Sequence, residues 1–139
     1  MILADDLFKH HSGPLRSALL DLRRIILDVA QSIEGVGPIE EALRWGQLSF
    51  LTAQTKSGST IRIDALRSDP NKYAVYVHCQ SGLIDEFRTH YPKQMTFIDQ
   101  RSIEFTLGQP LPIAELKHCI SLALTYHLRK KMEKTKRKK

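Results

Sequence analysis

Five side chains capable of acid, base or ionic chemistry fall at alternate positions of three extended stretches: Arg62 and Asp64, Tyr76 and His78, and Glu104. Successive side chains of a strand point to opposite faces, so residues two apart share one. Pairing of these stretches would place a guanidinium, two carboxylates, a phenol and an imidazole together, opposite the face formed by Ile61, Val75 and Phe105. Such a set can hold a small polar ligand, or move protons with His78 working beside Asp64 or Glu104. The plainer alternative is a solvated sheet face laced by cross-strand pairs such as Arg62 with Glu104. The one tryptophan, Trp45, followed by Gly46, is the sixth candidate. It reads as a core plug where a short helix turns onto the sheet, with a ligand-stacking platform as the alternative.

Metal and nucleophile chemistry have less to rest on. His78-Cys79 and His118-Cys119 are adjacent pairs. On a strand, neighbours point to opposite faces, so His78 and Cys79 cannot both chelate one ion there. No Cys-x-x-Cys or His-x-x-x-His spacing supports a zinc site, and both cysteines read as small apolar fillers of the core. Gly35-Val36-Gly37 runs into Pro38 and matches neither nucleotide fingerprint. No metal and no cofactor are expected.

The elements that must position these residues follow from periodicity. Residues 1–12 read as a lead-in that docks Leu3, Leu7 and Phe8. Pro14 opens a helix whose Leu15, Leu19, Leu22, Ile26, Val29 and Ile33 recur at helical spacing, until Gly35 and Gly37-Pro38 end it. A second, short helix is expected from Pro38 to about Arg44, with Glu40 and Glu41 favoured in its first turn. Gln47–Gln54 and Ser59–Leu66 form a hairpin around Thr55-Lys56-Ser57-Gly58, and Tyr73–Cys79 is a third strand. Leu83, Phe87 and Tyr91 mark a helix; Met95–Ile98 and Ser102–Leu107 form a closing hairpin. A last helix runs from Pro112 to about Arg129. Without regular βαβ alternation, this order implies an α+β domain: an antiparallel sheet of about five strands with helices packed on one face.

The chain of 139 residues has the length of one domain, and 42% hydrophobic with 26% charged residues is an ordinary globular composition. No apolar run approaches a membrane span, and Asp5 and Asp6 stand where a signal peptide has its apolar core, so a cytoplasmic protein is expected. The net charge of +6 is local. Residues 129–139 hold eight Lys/Arg and one Glu, which leaves 13 basic against 14 acidic residues in 1–128. A balanced domain over 1–128 and a basic, disordered tail over 129–139 are therefore expected. The tail could make weak, nonspecific contact with nucleic acid through counterion release.

Four stretches carry a family resemblance: Glu41-Ala42-Leu43-Arg44-Trp45-Gly46-Gln47, Thr60-Ile61-Arg62-Ile63, Tyr76-Val77-His78-Cys79-Gln80 and Leu116-Lys117-His118-Cys119. With the order of elements, they make residues 15–130 resemble the YdhG-like family (domain-of-unknown-function family 1801), small bacterial α+β proteins. Leu48 departs from it, since relatives often carry a Trp-Gly-x-Pro pattern. One branch of the family is linked to iron handling in the manner of frataxin, which requires clustered carboxylates or imidazoles. The outer side of the first long helix mixes arginines with its two aspartates and forms no acidic ridge. The leading expectation is a non-catalytic domain that binds a small ligand or a protein partner, itself or a homodimer mate included, around Trp45, Arg62, Asp64, Tyr76, His78 and Glu104. An iron chaperone is the alternative, and a small enzyme the third reading.

Overall fold

The computed structural model describes residues 3–137. The chain runs α1 (Leu3–Phe8), α2 (Gly13–Ser32), β1 (Glu40–Arg44), β2 (Gln47–Leu51), β3 (Ile61–Ala65), β4 (Lys72–Tyr76), α3 (Leu83–His90), β5 (Thr96–Ile98), β6 (Ser102–Thr106), α4 (Ile113–Leu124) and α5 (Tyr126–Arg137). The six strands form one antiparallel sheet in the order β1-β2-β3-β4-β6-β5. No described helix is long and apolar enough to cross a membrane.

Alternation decides which face is covered. Leu48, Phe50, Ile61, Ile63, Tyr73, Val75, Ile103 and Phe105 are buried on the inner face, where Leu19, Leu22 and Ile26 of α2 and Leu116, Ile120 and Ala123 of α4 join one core. At about 25 cal/mol per Å² of apolar surface removed from water, these residues dominate the stability of the fold. The long helix is capped as Pro14 suggests: Ser12 Oγ accepts from the Leu15 N–H at 3.2 Å, with proline in the first turn. The opposite face carries Gln47, Arg62, Asp64, Tyr76 and Glu104, which are half-buried and lie outside the hydrophobic core.

The stretch Glu40–Arg44 is a strand and not the short helix expected from its composition. Its residues are good helix formers, but the intrinsic preference is a fraction of a kcal/mol each. Five residue pairs with β2 and an Arg23–Glu41 ion pair outweigh it; Arg23 Nε and Nη2 reach the two Glu41 oxygens at 2.6 and 2.9 Å. Trp45 and Gly46 form the two-residue turn between Arg44 and Gln47, at φ 51° and φ 74°. Positive φ at both central residues is the type I′ hairpin, whose twist matches that of the flanking strands. Trp45 consequently sits at a hairpin tip, 81% exposed, and is no core plug.

The last helix is also two. At Thr125 the chain breaks, because the β2–β3 loop takes the groups that a continuous helix would use. Ser57 Oγ donates to the Leu124 carbonyl at 2.9 Å, and the Ser59 N–H donates to that of Ala123. The Ser57 carbonyl in turn accepts the N–H groups of His127 and Leu128, at 2.8 and 3.1 Å, so the loop caps α5 from outside. Gly58 makes this contact possible: a Cβ there would lie 2.4–2.6 Å from the Leu124 backbone. The basic segment expected as a disordered tail is helical through Arg137; Lys138 and Lys139 lie outside the described residues.

Candidate functional site

The loop contact sets α5 beside one end of the open sheet face, and a cleft of about 770 Å³ lies there. Trp45 stands on one side, Tyr126 and His127 of α5 line it, and the turn after β4 supplies His78, Cys79 and Gln80. Arg62 and Arg101 also line it, whereas no carboxylate does.

Arg62 is the centre of this arrangement. β3 pairs with β4 so that Arg62 lies opposite Tyr76, and the β1–β2 hairpin brings Trp45 to its other side. The guanidinium carbon sits 5.0 Å from the Trp45 ring centroid and 5.8 Å from that of Tyr76. Both are within the range of a cation–π attraction. Nη1 donates to Gln47 Oε1 at 3.0 Å. Burial lowers the Arg62 pKa from its ordinary value and the positive charge of Arg101 lowers it further, against the opposing influence of Tyr76 and Cys79. Neither arginine forms an ion pair with a described carboxylate.

Asp64 lies one row further along the strand, opposite Ala74 of β4. Burial raises its pKa, offset in part by hydrogen bonds from the Ala65 N–H and the Gln47 side chain. Burial likewise raises the Tyr76 phenol, with Asp64 and Glu104 adding to it. Glu104 is opposite Ala74 from the other side, on β6.

Of the six residues singled out from sequence, Trp45, Arg62 and His78 meet in the cleft, and Tyr76 flanks Arg62. Asp64 and Glu104 do not line it. The expected Arg62–Glu104 cross-strand pair does not form, because β4 lies between their strands and the two fall in different rows. His78 has left the strand for the following turn, where its Nδ1 accepts from the Gln80 N–H at 3.1 Å. It is four residues from Ala74, the position facing Asp64 and Glu104, or about 13 Å along an extended chain. The His–carboxylate dyad of an enzyme is therefore not assembled.

Arg101, Cys79, Tyr126 and His127 were not among the expected site residues. Asp99-Gln100-Arg101 reads only as a turn, and α5 reaches the cleft through a loop contact that spacing does not reveal. Cys79 is exposed on the cleft wall and is no core filler, since the strand ends at Tyr76; Cys119 is buried, and burial pushes its thiol up to about 12. Among the described residues, no three of His, Cys, Asp and Glu come together as a metal-holding group.

The chain matches no protein-family model and no curated protein. Among solved structures it is similar to a protein of the DUF1801 family (YdhG) from Bacillus subtilis, at 13% identity and a TM-score of 0.56. The match covers 85% of this chain and 88% of that one. The fold is YdhG-like. At that identity the likeness concerns architecture, an antiparallel sheet with helices, as the residue resemblance implies. The YdhG-like sheet here has six strands, one more than periodicity suggests, and the additional one is β1.

Proposed function

We propose that this YdhG-like protein binds a small anionic ligand carrying a planar ring, without catalysing a reaction on it. One observation carries the reading: the Arg62 guanidinium lies against the Trp45 and Tyr76 rings, in a cleft lined by two arginines and no carboxylate. Two cations that line one cleft without an acidic partner are relieved by an anion, and guanidinium favours carboxylate or phosphate in bidentate geometry. Trp45 supplies the second half. A bulky residue at positive φ is an outlier, and such strain belongs to sites where the side chain's place matters more than its comfort. Its exposed indole face offers a stacking surface for a ring. His78 and His127 add donors at the margin of the cleft.

Calorimetric titration with thymidine monophosphate as the probe tests this reading. Binding should be measurable for the full chain and much weaker for thymidine, which has the ring without the charge. Arg62→Gln should weaken it by about 10-fold or more, the equivalent of losing a charge-assisted hydrogen bond. Equal binding of the charged and uncharged probes, or no effect of Arg62→Gln, contradicts the proposal.

A further inference from the structure

The basic segment bears on the cleft because it is a helix. His127 lines the cleft, and Lys130, Lys131 and Lys134 follow it at the i+3, i+4 and i+7 positions of α5. On a helix these four share one face. The three lysines are exposed, and together the four residues extend over about 10 Å at ~1.5 Å per residue. The rotation of α5 that presents this stripe is fixed from its other flank. Arg129 reaches both Glu86 oxygens at 2.7 and 2.9 Å and the Leu122 carbonyl at 2.6 Å. Lys130 leans toward the Tyr126 ring, 5.5 Å away, and pairs at 3.8 Å with Glu133, the one acidic residue of α5. Lys131 and Lys134 have no carboxylate partner among the described residues.

The stripe therefore begins where the cleft ends. Resting on the reading of the cleft as a site for an anion with a planar ring, we infer that the occupant is one nucleotide of a single-stranded nucleic acid, whose backbone leaves the cleft along α5. A stacking aromatic beside a cationic track is the arrangement by which proteins hold single strands without reading their sequence. Trp45 takes the base, Arg62 and Arg101 take its phosphate, and Lys130, Lys131 and Lys134 take the following phosphates. A lipid surface is a poorer match, because α5 offers no apolar face beyond Leu128 and the exposed Met132. An acidic peptide has charge for the lysines but no obligatory ring for Trp45.

The test compares a fluorescein-labelled twelve-residue oligothymidylate with thymidine monophosphate on the full chain, using anisotropy and calorimetry. The oligonucleotide should bind at least ten-fold tighter than the monophosphate. The surface variant Lys131→Gln/Lys134→Gln should weaken oligonucleotide binding ten-fold or more. It should also reduce the log–log salt slope by about 1.4, at ~0.7 for each phosphate that is no longer neutralised, and leave monophosphate affinity unchanged. An oligonucleotide that binds no tighter than the monophosphate overturns the inference and leaves the cleft reading standing. So does a double variant with wild-type affinity, or equal binding of polyglutamate or phosphatidylserine vesicles. Absence of monophosphate binding overturns the cleft reading itself, and this inference with it.

Discussion

Arg62 and Trp45 come from different hairpins, yet the guanidinium of one lies 5.0 Å from the ring centroid of the other. The contact exists because a two-residue turn leaves Trp45 no option except the tip of the sheet, beside the strand that carries Arg62. It joins a fixed charge to an exposed ring, and the proposed binding of an anion with a planar ring depends on it.

The Trp45 backbone gives the first prediction. Left-handed geometry costs a residue with a Cβ about 1–2 kcal/mol, and asparagine followed by glycine is the preferred pair for this turn. The exposed contact with Arg62 returns about 0.5 kcal/mol. Trp45→Asn should therefore stabilise the fold by about 0.5–1 kcal/mol in urea unfolding while abolishing binding of thymidine monophosphate. Destabilisation by several kcal/mol would show that the indole packs in a core.

Helix α5 divides at Arg129. Ending the chain after Leu128 removes the bidentate pair with Glu86 and should cost about 1–2 kcal/mol, as expected for a charge-assisted hydrogen bond that is only partly exposed. Ending it after Arg129 should leave the melting temperature nearly unchanged, since residues 130–135 are all exposed. Equal stability of the two truncations contradicts the role assigned to Arg129.

The two cysteines should differ in reactivity. Thiolate is the reactive form, and Cys119 is buried with its thiol pushed up to about 12, whereas Cys79 is exposed on the cleft wall. A chromogenic disulfide reagent should titrate one thiol per native chain and two after denaturation. Bound thymidine monophosphate should slow the first of them. Two rapid thiols in the native protein would place Cys119 outside the core.

Asp64 makes stability depend on pH with a definite sign. Burial raises its folded pKa above the unfolded value of about 3.9, so between the two the native state holds more protons. This contribution is favourable below the unfolded value and is lost as pH rises through the folded one. Asp64→Asn, which keeps an acceptor for the Ala65 N–H, should raise the urea midpoint at pH 7 and change it little at pH 3. A variant that loses stability at pH 7 shows the carboxylate to be a net favourable partner of Gln47.

The covered half of the molecule was legible in the sequence because burial there imposes a period. Leu15 to Ile26 repeat at helical spacing, and Ile61, Ile63 and Val75 alternate, so the helix-on-sheet layers follow. The strand β1 was not legible: Glu40–Arg44 has helical propensity, and only pairing with β2 and the distant Arg23 makes it extended. That error carried Trp45 with it, because a tryptophan ending a helix and one in a type I′ turn have the same sequence. The site was half visible. Strand alternation places Arg62 and Tyr76 together, but the register that separates Glu104 from Arg62 is set by strand order. The approach of Tyr126 and His127 depends on Ser57 and Gly58, some 70 residues earlier in the chain, through contacts that no local pattern encodes.

The most direct test of the central claim uses Trp45 as its own reporter, since it is the single tryptophan. Emission of the free protein should be red-shifted, as for an indole in water. Thymidine monophosphate should quench it saturably, thymidine only weakly, and ribose 5-phosphate, which has the charge without the base, should leave it nearly unchanged. Arg62→Gln should shift the quenching curve to about ten-fold higher concentration. Blue-shifted emission, or quenching by thymidine equal to that by its monophosphate, would contradict a cleft in which Trp45 and Arg62 act together.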